Sequence, residues 1–164
     1  MNDSNSRDVV IRLAGDSDWE SVHALIVELA DYERARSEVT LSLTELQRDA
    51  ERGCFSCHVA ESQGAVVGMV LHHPRYSTWK GLTWYIEDLV VTKSLRGQGI
   101  GRMLFNAAVA RAIHEKAGRL EWQVLDWNEP AIGFYQNIGA SLSSEWLNGR
   151  LTHEDMLNLQ HPRS

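Results

Sequence analysis

The 164-residue sequence has three prolines and two cysteines, and it lacks long apolar runs. A membrane-spanning helix needs about 20 consecutive apolar residues, so we predict none. The first eight residues, MNDSNSRD, are polar and do not resemble a secretory signal peptide. We therefore expect a cytoplasmic protein with one domain over residues 1–164. Its ends, 1–7 and 161–164, are expected to be flexible.

Residues that bind metals are not found at the required spacings. Cys54 and Cys57 form a single C-x-x-C pair, whereas a structural zinc site needs four ligands. The pair enters a predicted strand rather than a helix N-terminus that would activate a thiol, so we interpret both as structural cysteines. His72 and His73 are strand neighbours that point apart, and His58 stands alone. We predict no metal.

The sequence also has fewer basic than acidic residues, with 16 Lys and Arg against 22 Asp and Glu. The net charge of −6 would repel nucleic-acid phosphates, so we expect no nucleic-acid partner. The same charge suits a cationic substrate, although ordinary solubility explains it equally well.

Hydrophobic periodicity predicts a mixed α/β sheet in the order β-α-α-β-β-β-α-β-α-β. Ser17 and Ser42 each stand three residues before a glutamate, which predicts two capping boxes at helix starts. Asn128 and Pro130 predict another helix start. The six predicted strands cover residues 9–14, 55–62, 64–73, 82–91, 120–126 and 140–147.

The segment SLRGQGIGRML, residues 94–104, places three glycines at the start of a predicted helix. Successive backbone N–H groups and the helix dipole there favour a bound phosphate. The G-x-G-x-G spacing of Gly97, Gly99 and Gly101 is not the dinucleotide motif G-x-G-x-x-G, and no Gly-Lys-Ser/Thr of a Walker loop follows. A tight turn that merely needs glycine is the structural alternative.

The stretch from Arg96 to Gly101 also matches R/Q-x-x-G-x-G/A, the signature of the GNAT N-acetyltransferase superfamily, in which the loop binds the pyrophosphate of coenzyme A. Six stretches resemble the spermidine/spermine N-acetyltransferase family, which includes thialysine acetyltransferases: ELADYE, YSTWKG, YIEDLVV, RGQGIG, LDWNEPAIGFY and GASLSSE. The element order resembles the fold of that superfamily over nearly the whole chain.

This resemblance implies catalytic roles for two residues. Glu87 is the first choice for the base that takes the amine proton, and Asp88 is the alternative. Adjacent strand residues face opposite sides, so we expect only one of them to point into the site. Tyr135 occupies the family's general-acid position. A backbone N–H of 89–91, near a bulge, is expected to stabilise the oxyanion.

The resemblance also implies binding residues. The cofactor contacts are expected to be Leu89, Val90, Val91, Arg96, Gly97, Gln98, Gly99, Ile100, Gly101, Arg102, Asn128, Glu129, Pro130, Ala131 and Tyr135. The substrate contacts are expected to be Tyr32, Glu33, Ser77, Trp79, Glu87, Asp88, Glu121, Trp122, Gln123 and Glu145. Among these, Trp79 could stack on an ammonium group.

The function implied is transfer of an acetyl group from acetyl-CoA to the amine of a small cationic substrate, either a thialysine-like amino acid or a diamine. Polyamine-acetylating members carry Asp-Pro-Trp where this chain has Ser77-Thr78-Trp79, which favours the thialysine-type branch. A polyamine acetyltransferase is the alternative, and a non-catalytic acyl-CoA-binding module is an alternative of another class. The resemblance also implies a homodimer, and no membrane partner is expected.

Overall fold

The computed structural model describes residues 8–160. The chain divides into two compact units, the first ending at Gln123 and the second beginning at Val124. The prediction of a single domain stays a prediction, and the two predicted flexible ends lie outside the described residues. In that part of the chain, no helix is long and apolar enough to cross a membrane.

The first unit contains a five-stranded sheet in the order β1-β2-β3-β4-β5. Neighbouring strands are antiparallel from β1 to β4, and β5 runs parallel to β4. The predicted mixed α/β class is confirmed. The elements are β1 (Val9–Leu13), α1 (Trp19–Tyr32), α2 (Leu43–Glu51), β2 (Ser56–Ser62), β3 (Ala65–Ser77), β4 (Gly81–Val91), α3 (Ile100–His114) and β5 (Leu120–Glu121).

Helices cover both faces of this sheet. A buried apolar cluster joins α1 and α2 to one face, where Val22 and Leu46 pack with Met69 of β3. Gly68, next to Met69, faces the other way, and a Cβ built on it would lie 3.1 Å from Leu104 of α3 and 2.9 Å from the Val90 carbonyl oxygen. Glycine therefore allows α3 to approach the second face closely.

The two predicted capping boxes had different outcomes. Ser42 caps α2, because its Oγ accepts a hydrogen bond from the Glu45 N–H and the Glu45 carboxylate accepts one from the Ser42 N–H. The prediction for Ser17 is wrong. The residue directly before α1 is Asp18, not Ser17. The Asp18 carboxylate accepts hydrogen bonds from the Gly15 N–H at 2.7 Å and from Arg12 at 2.6 Å.

The second unit contains α4 (Glu129–Asn137) and α5 (His153–Gln160). The predicted start of α4 is confirmed, because the Asn128 side chain accepts a hydrogen bond from the Ala131 N–H at 3.3 Å. The strand predicted at 140–147 is wrong: this segment is irregular, and Leu147 is 97% exposed. A strand requires a hydrogen-bonded neighbour, and the described chain supplies none for this segment. Of the strand predicted at 120–126, only β5 (Leu120–Glu121) forms, because only these two residues pair with β4.

Candidate active site

A β-bulge shapes the middle of β4. Leu71 of β3 lies opposite Asp88, whereas the next residue, His72, lies opposite Ile86, so Glu87 is an extra residue in β4. The Glu87 carboxylate is 3.1 Å from Nε2 of His73, which shares a face of β3 with Leu71. Glu87 and Asp88 therefore lie on the same face. The prediction that only one would point into the site is wrong, because the bulge interrupts the strand alternation.

The two carboxylates have different surroundings. Glu87 is exposed, whereas Asp88 is partly buried. Burial raises the pKa of Asp88, and the negative charges of Glu87 and Glu33 add to this effect, so that the pKa is about 6. Glu33 follows the last turn of α1, and burial raises its pKa as well. The C-terminal end of α1 thus contributes a third carboxylate beside the bulge.

The edge of β4 beyond the bulge lacks a strand neighbour. Strand β5 pairs with β4 only at Trp84 and Tyr85, while β4 continues to Val91. Among the described residues, β3 is the only strand neighbour of β4 over 86–91. An unpaired strand edge presents backbone N–H and C=O groups that a ligand can use. This arrangement suits the donor predicted at 89–91.

The glycine loop joins the end of β4 to α3. Gly97 and Gly99 have φ angles of +75° and +83°, and a Cβ built on either would have no neighbour within 4 Å. Glycine is therefore needed there for the backbone conformation rather than for space. Gly99 is the N-cap of α3 and has no side chain to cap the first-turn N–H groups. An anion such as a phosphate fits this helix start.

Arg96 connects the loop to α1. Its Nε donates to the Val91 carbonyl at 2.8 Å, its guanidinium lies over the Tyr32 ring at 5.1 Å, and its nearest contact with the Glu28 carboxylate is 3.6 Å. Glu28 also accepts a hydrogen bond from the Lys93 N–H. The guanidinium thus orders the loop, while Arg102 is exposed on the first turn of α3.

The predicted substrate residues of the first unit do not all come together. Tyr32 and Glu33 lie near the bulge and the loop, as described. Ser77 and Trp79 lie at the tip of the β3–β4 hairpin, where the Ser77 hydroxyl accepts from the backbone of Trp79 at 3.2 Å. Glu87 lies six residues after Gly81 along β4, a distance of about 20 Å. Trp79, 82% exposed, is thus too distant to share a small amine with Glu87 in one chain.

Three further predicted contacts lie at the end of the first unit. Glu121 forms an ion pair with Arg119 at 3.1 Å. The Trp122 ring packs edge-on against Phe105, with 5.4 Å between ring centroids. Gln123 is the last residue of the unit. Their roles in substrate binding stay predictions.

In the second unit, Tyr135 lies in α4 and is buried. Burial raises its pKa to about 12, so its phenol is protonated at neutral pH, as a general acid must be. The helix start at Asn128 precedes it. Glu145 lies in the irregular segment and is exposed, and its N–H donates to the Ser143 hydroxyl.

A buried polar chain was missed by the sequence analysis. His58 does not stand alone: its Nδ1 is 2.9 Å from Nε2 of His72, and Nδ1 of His72 accepts from Trp84 Nε1 at 2.8 Å. The strand predictions already placed His58, His72 and Trp84 in adjacent strands, which was the available signal. Within residues 8–160, no three potential ligands gather into a metal site.

Comparisons with known proteins identify relatives of this chain. Residues 19–140 match the model of the acetyltransferase (GNAT) family. Thialysine N-epsilon-acetyltransferase of Mus musculus is 36% identical over 162 residues, covering 91% of this chain and 95% of that protein. The spermidine/spermine N(1)-acetyltransferase-like protein 1 of Homo sapiens is 31% identical and covers 91% of this chain, but only 23% of that protein is matched.

A solved structure supports the fold. The aminoglycoside N-acetyltransferase AAC(6′)-Iy, determined in complex with CoA, superposes with a TM-score of 0.72 at 15% identity, covering 87% of this chain and 94% of that chain. The chain therefore belongs to the GNAT acetyltransferase family, and it is an enzyme that transfers an acetyl group from acetyl-CoA to an amine.

Proposed function

We propose that the acceptor is the primary amine of a small cationic substrate, either a lysine-like amino acid such as thialysine or a diamine. The observation that supports this most directly is the group of three carboxylates, Glu33, Glu87 and Asp88, at the bulge of β4. Such a group attracts an ammonium ion to the bulge of β4, next to the unpaired strand edge at 86–91. The mouse relative, named thialysine N-epsilon-acetyltransferase, is consistent with this substrate class.

The amine must lose a proton before it attacks the thioester carbonyl. A free alkylamine has a pKa of about 10, so it arrives protonated. We assign the base to Glu87, which is exposed and can meet the ammonium directly or through water. Asp88 is the second candidate because its pKa of about 6 suits a base that works near neutral pH.

Attack produces a tetrahedral intermediate with a negative oxygen. A backbone N–H of 89–91 would donate to that oxygen, and the Tyr135 phenol would protonate the departing thiolate. The N–H groups of residues 97–101 would bind the pyrophosphate, together with Arg102. In the second unit, the helix start at 128–131 is assigned to the cofactor as well.

The test is to incubate the enzyme with acetyl-CoA and each of a panel of amines. Acetyl transfer releases the free thiol of coenzyme A, and the rate of its release is measured. We expect thialysine or a short diamine to be acetylated with a higher kcat/KM than spermidine. A strong preference for spermidine would support the polyamine alternative, to which the human relative's name points. No thiol release with any amine would instead support the acyl-CoA-binding module.

We also propose a homodimer in the cytoplasm, as the family resemblance implies. Sedimentation equilibrium should give twice the chain mass of 18.5 kDa. A mass of one chain at micromolar concentration would contradict the dimer.

A further inference from the structure

The Glu87 carboxylate has one bonding partner in the described part of the chain, which is His73. Nε2 of His73 lies 3.1 Å from Oε2 of Glu87, and no other described residue forms a hydrogen bond or ion pair with this side chain. The Glu87 side chain is 58% exposed and belongs to the extra residue of the bulge. A glutamate in such a place samples several rotamers unless a contact fixes it. The contact with His73 therefore decides where this carboxylate lies.

The His73 ring is itself held in place. Its Nδ1 lies 3.1 Å from the Pro74 carbonyl oxygen. On the neighbouring strand, Tyr85 lies opposite His73, and the centroids of the two rings are 5.5 Å apart. A histidine with these two contacts can hold a third group, the exposed carboxylate of Glu87.

The partners of the two ring nitrogens are both oxygen acceptors. The Pro74 carbonyl can only accept a hydrogen bond, and so can an ionised Glu87 carboxylate. A neutral imidazole has a single N–H, so both contacts are hydrogen bonds only when one further proton lies between Nε2 and Oε2. That hydrogen bond then joins two ionisable groups, which makes it stronger than a bond between neutral groups.

The contact uses only one of the two carboxylate oxygens of Glu87. His73 meets Oε2, and no hydrogen bond or ion pair from the described residues reaches Oε1. An ionised carboxylate accepts at both oxygens, so Oε1 remains available to an ammonium group. A reacting group owes much of its effect to being held in the productive geometry, so the position of this carboxylate affects the rate.

We propose that His73 is a positioning residue for acetyl transfer, which holds Glu87 through Oε2 so that Oε1 can bind the substrate ammonium. His73 acts through Glu87 and touches neither the substrate nor the cofactor. This inference rests on the proposed function, in which Glu87 meets the amine.

Two substitutions separate the hydrogen bond of His73 from its ring. His73→Gln keeps an N–H donor but does not titrate, whereas His73→Phe keeps a flat ring without a donor. The matched control is His114, whose Nδ1 also lies beside a glutamate, 3.5 Å from Glu115, but which is 79% exposed at the end of α3. A thermal melt of each variant checks that the fold is kept.

We expect His73→Phe to lower kcat/KM for the amine about tenfold, because a charge-assisted hydrogen bond to Glu87 is lost. His73→Gln should stay within about threefold of the wild type, because its amide still donates to Glu87. KM for acetyl-CoA should be unchanged in both variants, as should every constant in His114→Phe and His114→Gln. A similar loss in the two His73 variants, or no loss in either, would overturn the inference.

A second measurement needs no turnover. Burial raises the pKa of Asp88, and the charges of Glu87 and Glu33 add to this effect. His73→Phe frees the Glu87 carboxylate to move away, so the pKa of Asp88 should be lower in His73→Phe than in His73→Gln. Carbon-13 NMR of the side-chain carboxyl groups measures this pKa.

The comparison between the two variants isolates the position of Glu87. Both variants lack the ionisable ring of His73, and both keep the neighbouring ionisable groups Glu33, Arg75, His72 and Tyr85. When Glu87→Gln is added to each variant, the difference in the pKa of Asp88 should disappear, because the charge that moves is gone.

The two measurements also separate the inference from the proposed function. A lower pKa of Asp88 in His73→Phe, without turnover of any amine, would support the hold of His73 on Glu87 and overturn the proposed function. Equal pKa values of Asp88 in His73→Phe and His73→Gln would overturn the inference, even where an amine is acetylated.

Discussion

At the scale of single residues, the β4 bulge changes what two adjacent carboxylates can do. Strand alternation would have separated Glu87 from Asp88, but the extra residue in β4 places both on one face. Like charges at short distance favour protonation of one of them, which is why Glu87 contributes to the raised pKa of Asp88.

The pH profile separates Glu87, our first assignment for the base, from Asp88. If Asp88 is the base, kcat/KM should fall as the pH drops through about 6, because its carboxylate becomes protonated. Asp88→Asn should remove most of the activity. Glu87→Gln should shift the acidic limb of the pH profile to lower pH, because it removes a negative charge that raises the pKa of Asp88. The measurement is the pH profile of thiol release. If Glu87→Gln abolishes turnover and Asp88→Asn keeps it, the base is Glu87, as we assign it, and Asp88 is excluded.

Tyr135 provides a second residue-scale prediction. Tyr135→Phe removes the hydroxyl but keeps the ring that packs at 5.2 Å from Phe134. We expect kcat to fall about 100-fold or more, the usual contribution of a general acid, with little change in the melting temperature. Steady-state kinetics and a thermal melt check this. Unchanged turnover would remove Tyr135 from the mechanism.

At the scale of elements, the glycine loop combines a helix start with two left-handed glycines. Gly99→Ala should cost about 1–2 kcal/mol of stability, because φ is +83° there. It should also raise KM for acetyl-CoA about tenfold, since the strained loop loses its alignment with the phosphates.

Gly53 supplies a matched control for this loop. Its φ is +69°, a Cβ on it would also meet no atom within 4 Å, and it lies after α2. Gly53→Ala should therefore lower the melting temperature similarly while leaving KM for acetyl-CoA unchanged. A similar rise of KM in both variants would show that the effect comes from stability and not from the loop.

The chain from Trp84 through His72 to His58 predicts a pH dependence of stability. Burial, the largest cause, and the positive charges of His58, Arg111 and His73 together lower the pKa of His72 from 6.5 to about 3. In addition, its Nδ1 already accepts from Trp84, so a proton there would face another donor. The folded state therefore excludes a proton that the unfolded state binds below pH 6.5.

The free energy of unfolding should thus fall by roughly 2–3 kcal/mol as the pH drops from 6.5 to about 4.5. His72→Gln keeps an acceptor for Trp84 but does not titrate, so its unfolding free energy should depend less steeply on pH. His114→Gln, at an exposed histidine, is the control. Urea denaturation at several pH values measures both. Equal slopes in all three proteins would refute the assignment to His72.

At the scale of the whole molecule, the sequence predicted the mixed sheet, the helix starts at Ser42 and Asn128, and the glycine loop. Each of these depends on local chemistry: a cap, a turn or a periodic apolar face. The bulge at Glu87 and the contact between His58 and His72 depend on the register of two strands, which no local pattern specifies. The segment 140–147 has a strand-like pattern, but a strand forms only with a partner.

Binding of the cofactor should stabilise the whole chain. At a CoA concentration about 100 times its Kd, the folded state gains about 2.7 kcal/mol. For a chain of this length that raises the melting temperature by about 5–10 °C. Asp88→Asn should keep this shift, because the first-turn N–H groups of α3 are unaffected, whereas Gly99→Ala should reduce it. Differential scanning fluorimetry with CoA measures the shift, and adenosine, which lacks the pyrophosphate, should produce almost none. A shift that persists unchanged in Gly99→Ala would place the phosphates elsewhere and contradict the assignment of the loop.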